Sequence, residues 1–276
     1  MIQEIAPRHL DNQYRKQEPA DSSKICVFRD GDMLISIREN EILLPDYAQL
    51  KNSIKKYVYL FSVDQEAYFL VDIGDAPLPE GFMFDNVRAH RKSKPKYTVY
   101  AMMTARHLYI WYRDNCFCGR CGHPTVHDDQ LRMMRCPSCG NMIFPKICPA
   151  IIVAVVNGDK ILLTKYSGRA YKNYALIAGF TEIGETAEET VAREVMEEAG
   201  VHVKNIRYWN TQPWGIESDL LIGYFADLDG DETITMDRDE LSLAGWYTRE
   251  QMDIPADDVS LTNDMIRAFI ENRYPR

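Results

Sequence analysis

Glu194, Glu197 and Glu198 stand at i, i+3 and i+4 within a segment that runs from Gly179 to Val201. It reads Gly-Phe-Thr-Glu-Ile-Gly-Glu-Thr-Ala-Glu-Glu-Thr-Val-Ala-Arg-Glu-Val-Met-Glu-Glu-Ala-Gly-Val. In a helix that spacing puts the carboxylates on neighbouring turns. Like charges so placed cost each other about 0.2–0.5 kcal/mol per pair. A hard divalent cation such as Mg²⁺ takes carboxylate oxygens as ligands and removes the repulsion. The other reading is a solvated acidic face, the usual fate of a charge run. The helix itself is well marked. Thr186 and Glu189 form a capping box, so the spacing predicts a start at Ala187. Gly200 is the residue that stops it. Val191, Ala192, Val195, Met196 and Ala199 share one face, and the three glutamates are expected on an opposite, exposed one.

A second group with metal chemistry lies upstream. Cys118-Gly-Arg-Cys121 and Cys136-Pro-Ser-Cys139 are two CxxC pairs with fourteen residues between them. Two such knuckles supply four thiolates to one tetrahedral Zn²⁺ in a zinc ribbon, and a closed set of four ligands is structural. The alternative is two redox dithiols, although no thioredoxin-like context surrounds them. Cys26 and Cys148 read as small apolar residues, and Cys116 is too close to Cys118 to complete a knuckle.

At 276 residues the chain has room for two domains, or for one with insertions. A net charge of −9 argues against non-specific nucleic-acid binding, which needs a basic surface. It leaves a phosphate substrate open, because bound metal inverts the local sign. No apolar run approaches the length of a membrane span, so no membrane partner is expected. The polar stretch from Met1 to Asp21 lacks the apolar core of a signal peptide, and a cytoplasmic location is expected.

The elements that must position these groups can be read in order. Residues 1–96 read as a β-rich N-terminal domain. Lys24 to Phe28 and Met33 to Ile37 flank Arg29-Asp30-Gly31-Asp32 as a hairpin, and Val58 to Val63 and Tyr68 to Ile73 form a second pair. Arg88, His90, Arg91, Lys92, Lys94 and Lys96 form a basic run, either a solvated loop or a patch facing phosphates. Residues 97–114 read as a linking helix, begun at Lys96, with Tyr97, Tyr100, Ala101, Leu108 and Trp111 at helical spacing and His107 packed among them. Residues 115–145 hold the ribbon, and 146–276 a further domain that carries the glutamate segment. There Ala150 to Val156 and Lys160 to Tyr166 flank Asn157-Gly158-Asp159, and Tyr174 to Ile177 leads into the glutamate segment. Ile206 to Trp209, Leu220 to Phe225 and Leu243 to Trp246 follow as strands, with Leu261 to Asn272 as a closing helix. This order fits an α/β (α+β) class, a mixed sheet with helices on its faces.

Gly179, Glu185, Arg193, Glu194, Glu197, Glu198 and Gly200 match every fixed polar and glycine position of the Nudix box, G-x5-E-x7-R-E-U-x-E-E-x-G-U, and Val195 and Val201 fill its aliphatic positions. The segment resembles a Nudix hydrolase, a family that cleaves a nucleoside diphosphate linked to another group with divalent metal. Three features together resemble the NADH pyrophosphatase branch: the ribbon before the box, the β-rich N-terminal region, and Thr211-Gln212-Pro213-Trp214 after it. The likeness is strongest from Phe117 to about Trp246. In that branch S-Q-P-W-P-F-P-x-S helps to recognise NAD(H). Here Gly215, Ile216 and Glu217 replace the P-F-P, and Asp219 stands at the second serine. The glycine is expected to loosen the loop and Glu217 to place negative charge near an anionic ligand.

The resemblance implies the following roles. Glu194, Glu197, Glu198, Glu240 and the carbonyl of Ala178 are implied ligands for Mg²⁺ or Mn²⁺, with Glu198 or Glu240 acting on the attacking water. Glu185 and Arg193 pair to hold the loop against the helix. Phe144, Phe180, Gln212, Pro213, Trp214 and Asp219 contact substrate, and Thr262 aligns loosely with another contact position. Alternatives remain at several of these. Phe144 and Phe180 could instead be core aromatics, Trp214 a packed turn residue and Glu240 a surface charge. The implied activity is hydrolysis of NAD(H) to AMP and nicotinamide mononucleotide, with removal of NAD caps from RNA 5′ ends as a second activity, by a homodimer. The rivals are a pyrophosphatase preferring ADP-ribose or a dinucleoside polyphosphate, a non-catalytic Nudix sensor, and a zinc-ribbon nucleic-acid module.

Overall fold

The computed structural model describes all residues except 40, 169–172, 253–257 and 276. The chain divides into two compact units. Ile2–Lys146 with Gly215–Ser218 form the N-terminal unit; Met1, Ile147–Trp214 and Asp219–Arg276 form the C-terminal one. No helix among the described residues is long and apolar enough to cross a membrane.

The N-terminal unit contains β1 (Leu10–Asp11), β2 (Lys24–Cys26), β3 (Phe28–Arg29), β4 (Asp32–Arg38), β5 (Glu41–Leu43), α1 (Tyr47–Leu50), β6 (Lys56–Val63), β7 (Glu66–Asp72) and β8 (Met83–Asp85). A single 3₁₀ turn at Val87–His90 precedes α2 (Lys96–Asp114). One sheet has the order β1-β6-β7-β2, and a second joins β3, β4 and β5, with β8 on β4. Asp30 and Gly31 both have positive φ, which closes the β3–β4 hairpin with the twist that two-residue turns require. The run from Lys24 to Phe28, expected as one strand, is divided. Lys24–Cys26 pairs in parallel with β7, and only Phe28–Arg29 joins the hairpin. Ile25, Val27, Leu34, Phe69 and Val71 meet in one core. The helix expected as a link, α2, buries Val99, Ala101, Met102, Met103, Ala105, Leu108 and Trp111 and packs against β5, β6 and β7. The His107 ring lies 2.8 Å from the Lys146 carbonyl oxygen, and burial lowers its pKa. Three short strands, β9 (Val126–His127), β10 (Met134–Arg135) and β11 (Met142–Ile143), carry the cysteine segment.

The C-terminal unit contains β12 (Cys148–Asn157), β13 (Lys160–Tyr166), β14 (Ile177–Phe180), α3 (Ala187–Ala199), β15 (His202–Trp214), β16 (Asp219–Asp229), β17 (Leu241–Thr248) and α4 (Leu261–Ile270). Its mixed sheet has the order β15-β16-β12-β13-β17, and β14 pairs with β12. β12 is central and apolar on both faces, as a strand covered on both sides must be. Period-two alternation divides its side chains. Ile152, Ala154 and Val156 meet Leu261, Met265 and Phe269 of α4. Ile151, Val153 and Val155 meet Val191, Val195 and Ala199 of α3. The glutamate helix is therefore fixed against the strand next to β14, from which the box loop departs.

The ends of α3 match their sequence signals. Thr186 accepts from the Glu189 amide and Glu189 accepts from the Thr186 amide. Gly200 takes φ 69°, and a Cβ there would meet the Thr235 side chain at 2.8 Å. Left-handed backbone costs an L-residue about 1–2 kcal/mol, and the contact with Thr235 adds to it. Gly200→Ala is therefore expected to destabilise the unit by at least about 1 kcal/mol in urea unfolding; an unchanged midpoint would contradict this account of the stop.

Candidate active site

The box loop and α3 are tied together by one side chain. Arg193 Nε and Nη2 donate to the two oxygens of Glu185 at 2.6 and 2.9 Å. Nη2 also donates to the Phe180 carbonyl at 3.0 Å. Nη1 donates to Glu194 at 2.8 Å and to Glu197 at 3.0 Å. Glu185 further accepts from the Glu182 amide at 3.1 Å and the Thr190 hydroxyl at 3.0 Å. Bonding to Arg193 first, then to that amide, holds the Glu185 carboxyl at about 2, because each donor favours the charged form.

Glu194 and Glu198 are less exposed than their neighbour Glu197. The Glu198 residue is 2 % exposed, so it is not on the open face that helical periodicity suggests. It falls at i, i+4 and i+7 with Val191 and Val195, which is the buried stripe itself. Ala192, expected on that stripe, is exposed. The Glu194 side chain is largely covered and reaches the backbone of β14: a Cβ on Gly179 would lie 1.9 Å from its carboxyl carbon. Burial raises the pKa of Glu194; Arg193 opposes the rise, and the charges of Glu197 and Glu240 add to it. Glu240 thus stands within electrostatic reach, just before β17, where its carbonyl accepts from the Ser167 amide at 2.8 Å. Partly buried carboxylates with like-charged neighbours suit a hard divalent cation. Their oxygens do not converge on one point, however, because Glu194 and Glu197 are turned to Arg193. Among the described residues only the four cysteines gather metal-ligating atoms within 4.8 Å of one another.

The other expected site residues have varied placements. Ala178 is on β14, paired with Ile152. Phe180 and Phe144 are more than half exposed, which removes the core-aromatic reading for both. Thr262 is half-buried in the first turn of α4. Gln212, expected to contact substrate, is fully buried. Its amide donates to the Val259 carbonyl at 2.8 Å and its oxygen accepts from the Leu261 amide at 2.8 Å. Its carboxamide is committed to the start of α4, a demand that a motif match does not reveal. Pro213 and Trp214 are half-buried at the end of β15, and buried Asp219 opens β16 opposite Trp214.

Gly215–Ser218 pack within the N-terminal unit, against the expectation that the glycine loosens the loop. A Cβ on Gly215 would lie 2.3 Å from the Met103 carbonyl oxygen. Ile216 is buried and its carbonyl accepts from Arg106, while Glu217 is ion-paired with Arg88. Sequence spacing misses Arg88 and Arg106 because both are distant in the chain; for Arg88 the basic run is the one signal.

The ribbon fits its metal. Cys118 and Cys139 sulfurs are 3.6 Å apart and those of Cys121 and Cys136 are 3.5 Å apart, too far for disulfides and close to the edge of about 3.8 Å in a tetrahedron of 2.3 Å Zn–S bonds. The Arg120 amide lowers the Cys118 pKa to about 6, and the Cys139 amide lowers that of Cys136, while Cys121, although the His123 amide favours its thiolate, is raised by hydrogen bonding with the neighbouring sulfurs, so one thiol of each knuckle is favoured as thiolate before any cation binds. Thiolates at both knuckles are what Zn²⁺ requires. Dialysis against a mild chelator is expected to leave about one zinc per chain by elemental analysis, since metal binding of this kind supplies on the order of 10 kcal/mol of folding free energy. Zinc-free, folded protein would overturn the ribbon.

Comparison with known proteins agrees with this geometry. Residues 22–111 match the model of an NADH pyrophosphatase-like rudimentary NUDIX domain, 113–144 that of an NADH pyrophosphatase zinc ribbon domain, and 146–269 that of the NUDIX domain. A relative from Haemophilus influenzae named NAD-capped RNA hydrolase NudC is 35% identical over 185 residues, 66% of this chain and 69% of that one. One of the same name from Citrobacter koseri is 42% identical over 145 residues, 52% of this chain and 56% of its own. The match thus spans little more than half the length of that relative. A crystal structure of a NUDIX hydrolase from Nitrosomonas europaea superposes with a TM-score of 0.50 at 21% identity, covering 57% of this chain and 91% of that one, and shows the shared fold. Box, ribbon and N-terminal region are matched in the order the geometry presents them, and the chain belongs to the NADH pyrophosphatase branch of the Nudix hydrolases.

Proposed function

We propose that this chain hydrolyses the pyrophosphate of NAD(H) to AMP and nicotinamide mononucleotide, and removes the same linkage from NAD-capped RNA 5′ ends. The observation that carries the reading is the approach of Glu194 to the β14 backbone at Gly179, with the charges of Glu197 and Glu240 within reach of it. The names of the Haemophilus and Citrobacter relatives support the substrate class. A cytoplasmic homodimer using Mg²⁺ or Mn²⁺ completes the proposal.

Glu194, Glu197, Glu198, Glu240 and the Ala178 carbonyl would hold the divalent cation, which supplies charge for the phosphate oxygens and acidity for a bound water. The chain does the rest. Arg193 ties the loop at Phe180 to Glu194 and Glu197. Glu198 or Glu240 takes a proton as water oxygen attacks one phosphorus. The bridging P–O bond breaks, and its electron pair leaves with the second phosphate. The exposed rings of Phe180 and Phe144 offer faces on which bases stack.

Glu198→Gln keeps the shape of a buried side chain but removes its charge. It is expected to lower turnover by about 10²–10⁴ with an unchanged circular dichroism spectrum. Gly179→Ala is expected to lose a comparable factor, because its methyl needs the space held by the Glu194 carboxylate at 1.9 Å. If either variant keeps more than half of wild-type turnover at saturating metal, the site is misassigned.

Substrate choice is tested by kcat/KM for NADH, NAD⁺ and ADP-ribose under one metal condition. NADH is expected to lead. The replacement of P-F-P by Gly215-Ile216-Glu217 is what motivates the rival substrates, and a lead of ADP-ribose or a dinucleoside polyphosphate would replace this reading.

A further inference from the structure

The N-terminal unit holds a groove that the pyrophosphatase reading does not use. Its volume is about 460 Å³, inside the range of about 300–1,000 Å³ that small-ligand pockets occupy. Val58 and Val71 come from β6 and β7, Phe84 from β8, Tyr109 and Tyr112 from α2, and Met134 from β10. The Tyr112 hydroxyl in the groove is already engaged. It lies 2.8 Å from His127 Nε2, and the Tyr109 ring stacks on Phe28 at 4.4 Å between centroids. What remains on the walls is apolar surface, which favours an apolar occupant.

The rim has the opposite character. Arg29, Lys56 and Arg113 line the groove, against the single carboxylate of Asp72. All four are exposed. The chain as a whole has 41 acidic and 32 basic residues, so this is a local reversal of sign. Arg113 is paired with Asp114 at 2.7 Å. Arg29 lies over the Phe84 ring at 4.6 Å and donates to the Gly74 carbonyl at 3.3 Å. Among the described residues neither Arg29 nor Lys56 has a carboxylate in salt-bridge range. An apolar cavity with uncompensated cations at its edge is complementary to a molecule with an apolar body and an anionic head.

We propose that this groove binds a small amphiphilic anion, an aryl or alkyl body against the aromatic walls with a carboxylate or phosphate at Arg29 and Lys56, to which the ion-paired Arg113 on the same rim adds positive potential. The site lies wholly within the N-terminal unit and stands whether or not NADH is the substrate.

The test titrates full-length, zinc-replete protein with 8-anilinonaphthalene-1-sulfonate and follows its fluorescence. Competitors of equal chain length then distinguish the head groups: octanoate, octyl phosphate, octanol and octylammonium. Saturable binding at about one site per chain is expected, displaced by octanoate or octyl phosphate and at least about tenfold less effectively by octanol or octylammonium. The stronger of the two anions identifies the head group. Lys56→Glu with Arg113→Glu, both exposed, is expected to weaken binding about tenfold or more while zinc content and NADH hydrolysis stay unchanged. Val58→Trp, which fills the groove, is expected to act likewise without altering the charge. Absence of saturable binding, equal displacement by octanol, or titrations unchanged in both variants would overturn the proposal.

Discussion

One guanidinium organises the C-terminal unit. Arg193 spans the box loop at Glu185 and Phe180 and the helix at Glu194 and Glu197. Without such a cation the carboxylates on successive turns of α3 would repel one another and the loop would lack a fixed anchor. The ion pair with Glu185 is also bidentate, the geometry in which arginine is not replaceable by lysine. Glu194 and Glu197 share the remaining guanidinium nitrogen. A cation bound on the other side of those carboxylates would compete with Arg193 for them.

Much of this is legible in the sequence, for definite reasons. The capping box and Gly200 mark α3 because both signals are local: a hydroxyl, an amide and a backbone of positive φ within one turn. The cysteine knuckles are legible for the same reason. Asp30-Gly31 and Gly158 mark hairpins through conformations that few residues adopt. The polarity of the α3 faces is less legible. Charge groups the three glutamates together, yet Glu198 stands on the Val191–Val195 stripe. Periodicity locates a stripe but not its width, and a buried carboxylate is the exception such a pattern cannot flag.

The differences concentrate where a residue's partner is far away in the chain. Gln212 fits a substrate motif by type and position, but its amide closes the gap between β15 and the start of α4 through Val259 and Leu261. Gly215 reads as added freedom in the sequence; against the Met103 carbonyl it is a requirement for close approach. Glu217 reads as negative charge near an anionic ligand and is ion-paired with Arg88. A motif records which side chains recur, and the packing decides which of them face the ligand. Gly179 shows the converse. Its place in the box is explained by the Glu194 carboxylate that occupies the space of the missing methyl.

The central claim is that the carboxylates beside Gly179 form a divalent-cation site that competes with Arg193. Mn²⁺ titration followed by electron paramagnetic resonance reads this directly, because free and bound ions differ in signal and no substrate is needed. Wild-type protein is predicted to bind Mn²⁺, and Glu194→Gln to bind it at least about tenfold more weakly with its zinc and its fold intact. Equal Mn²⁺ affinity in the two proteins would contradict the account.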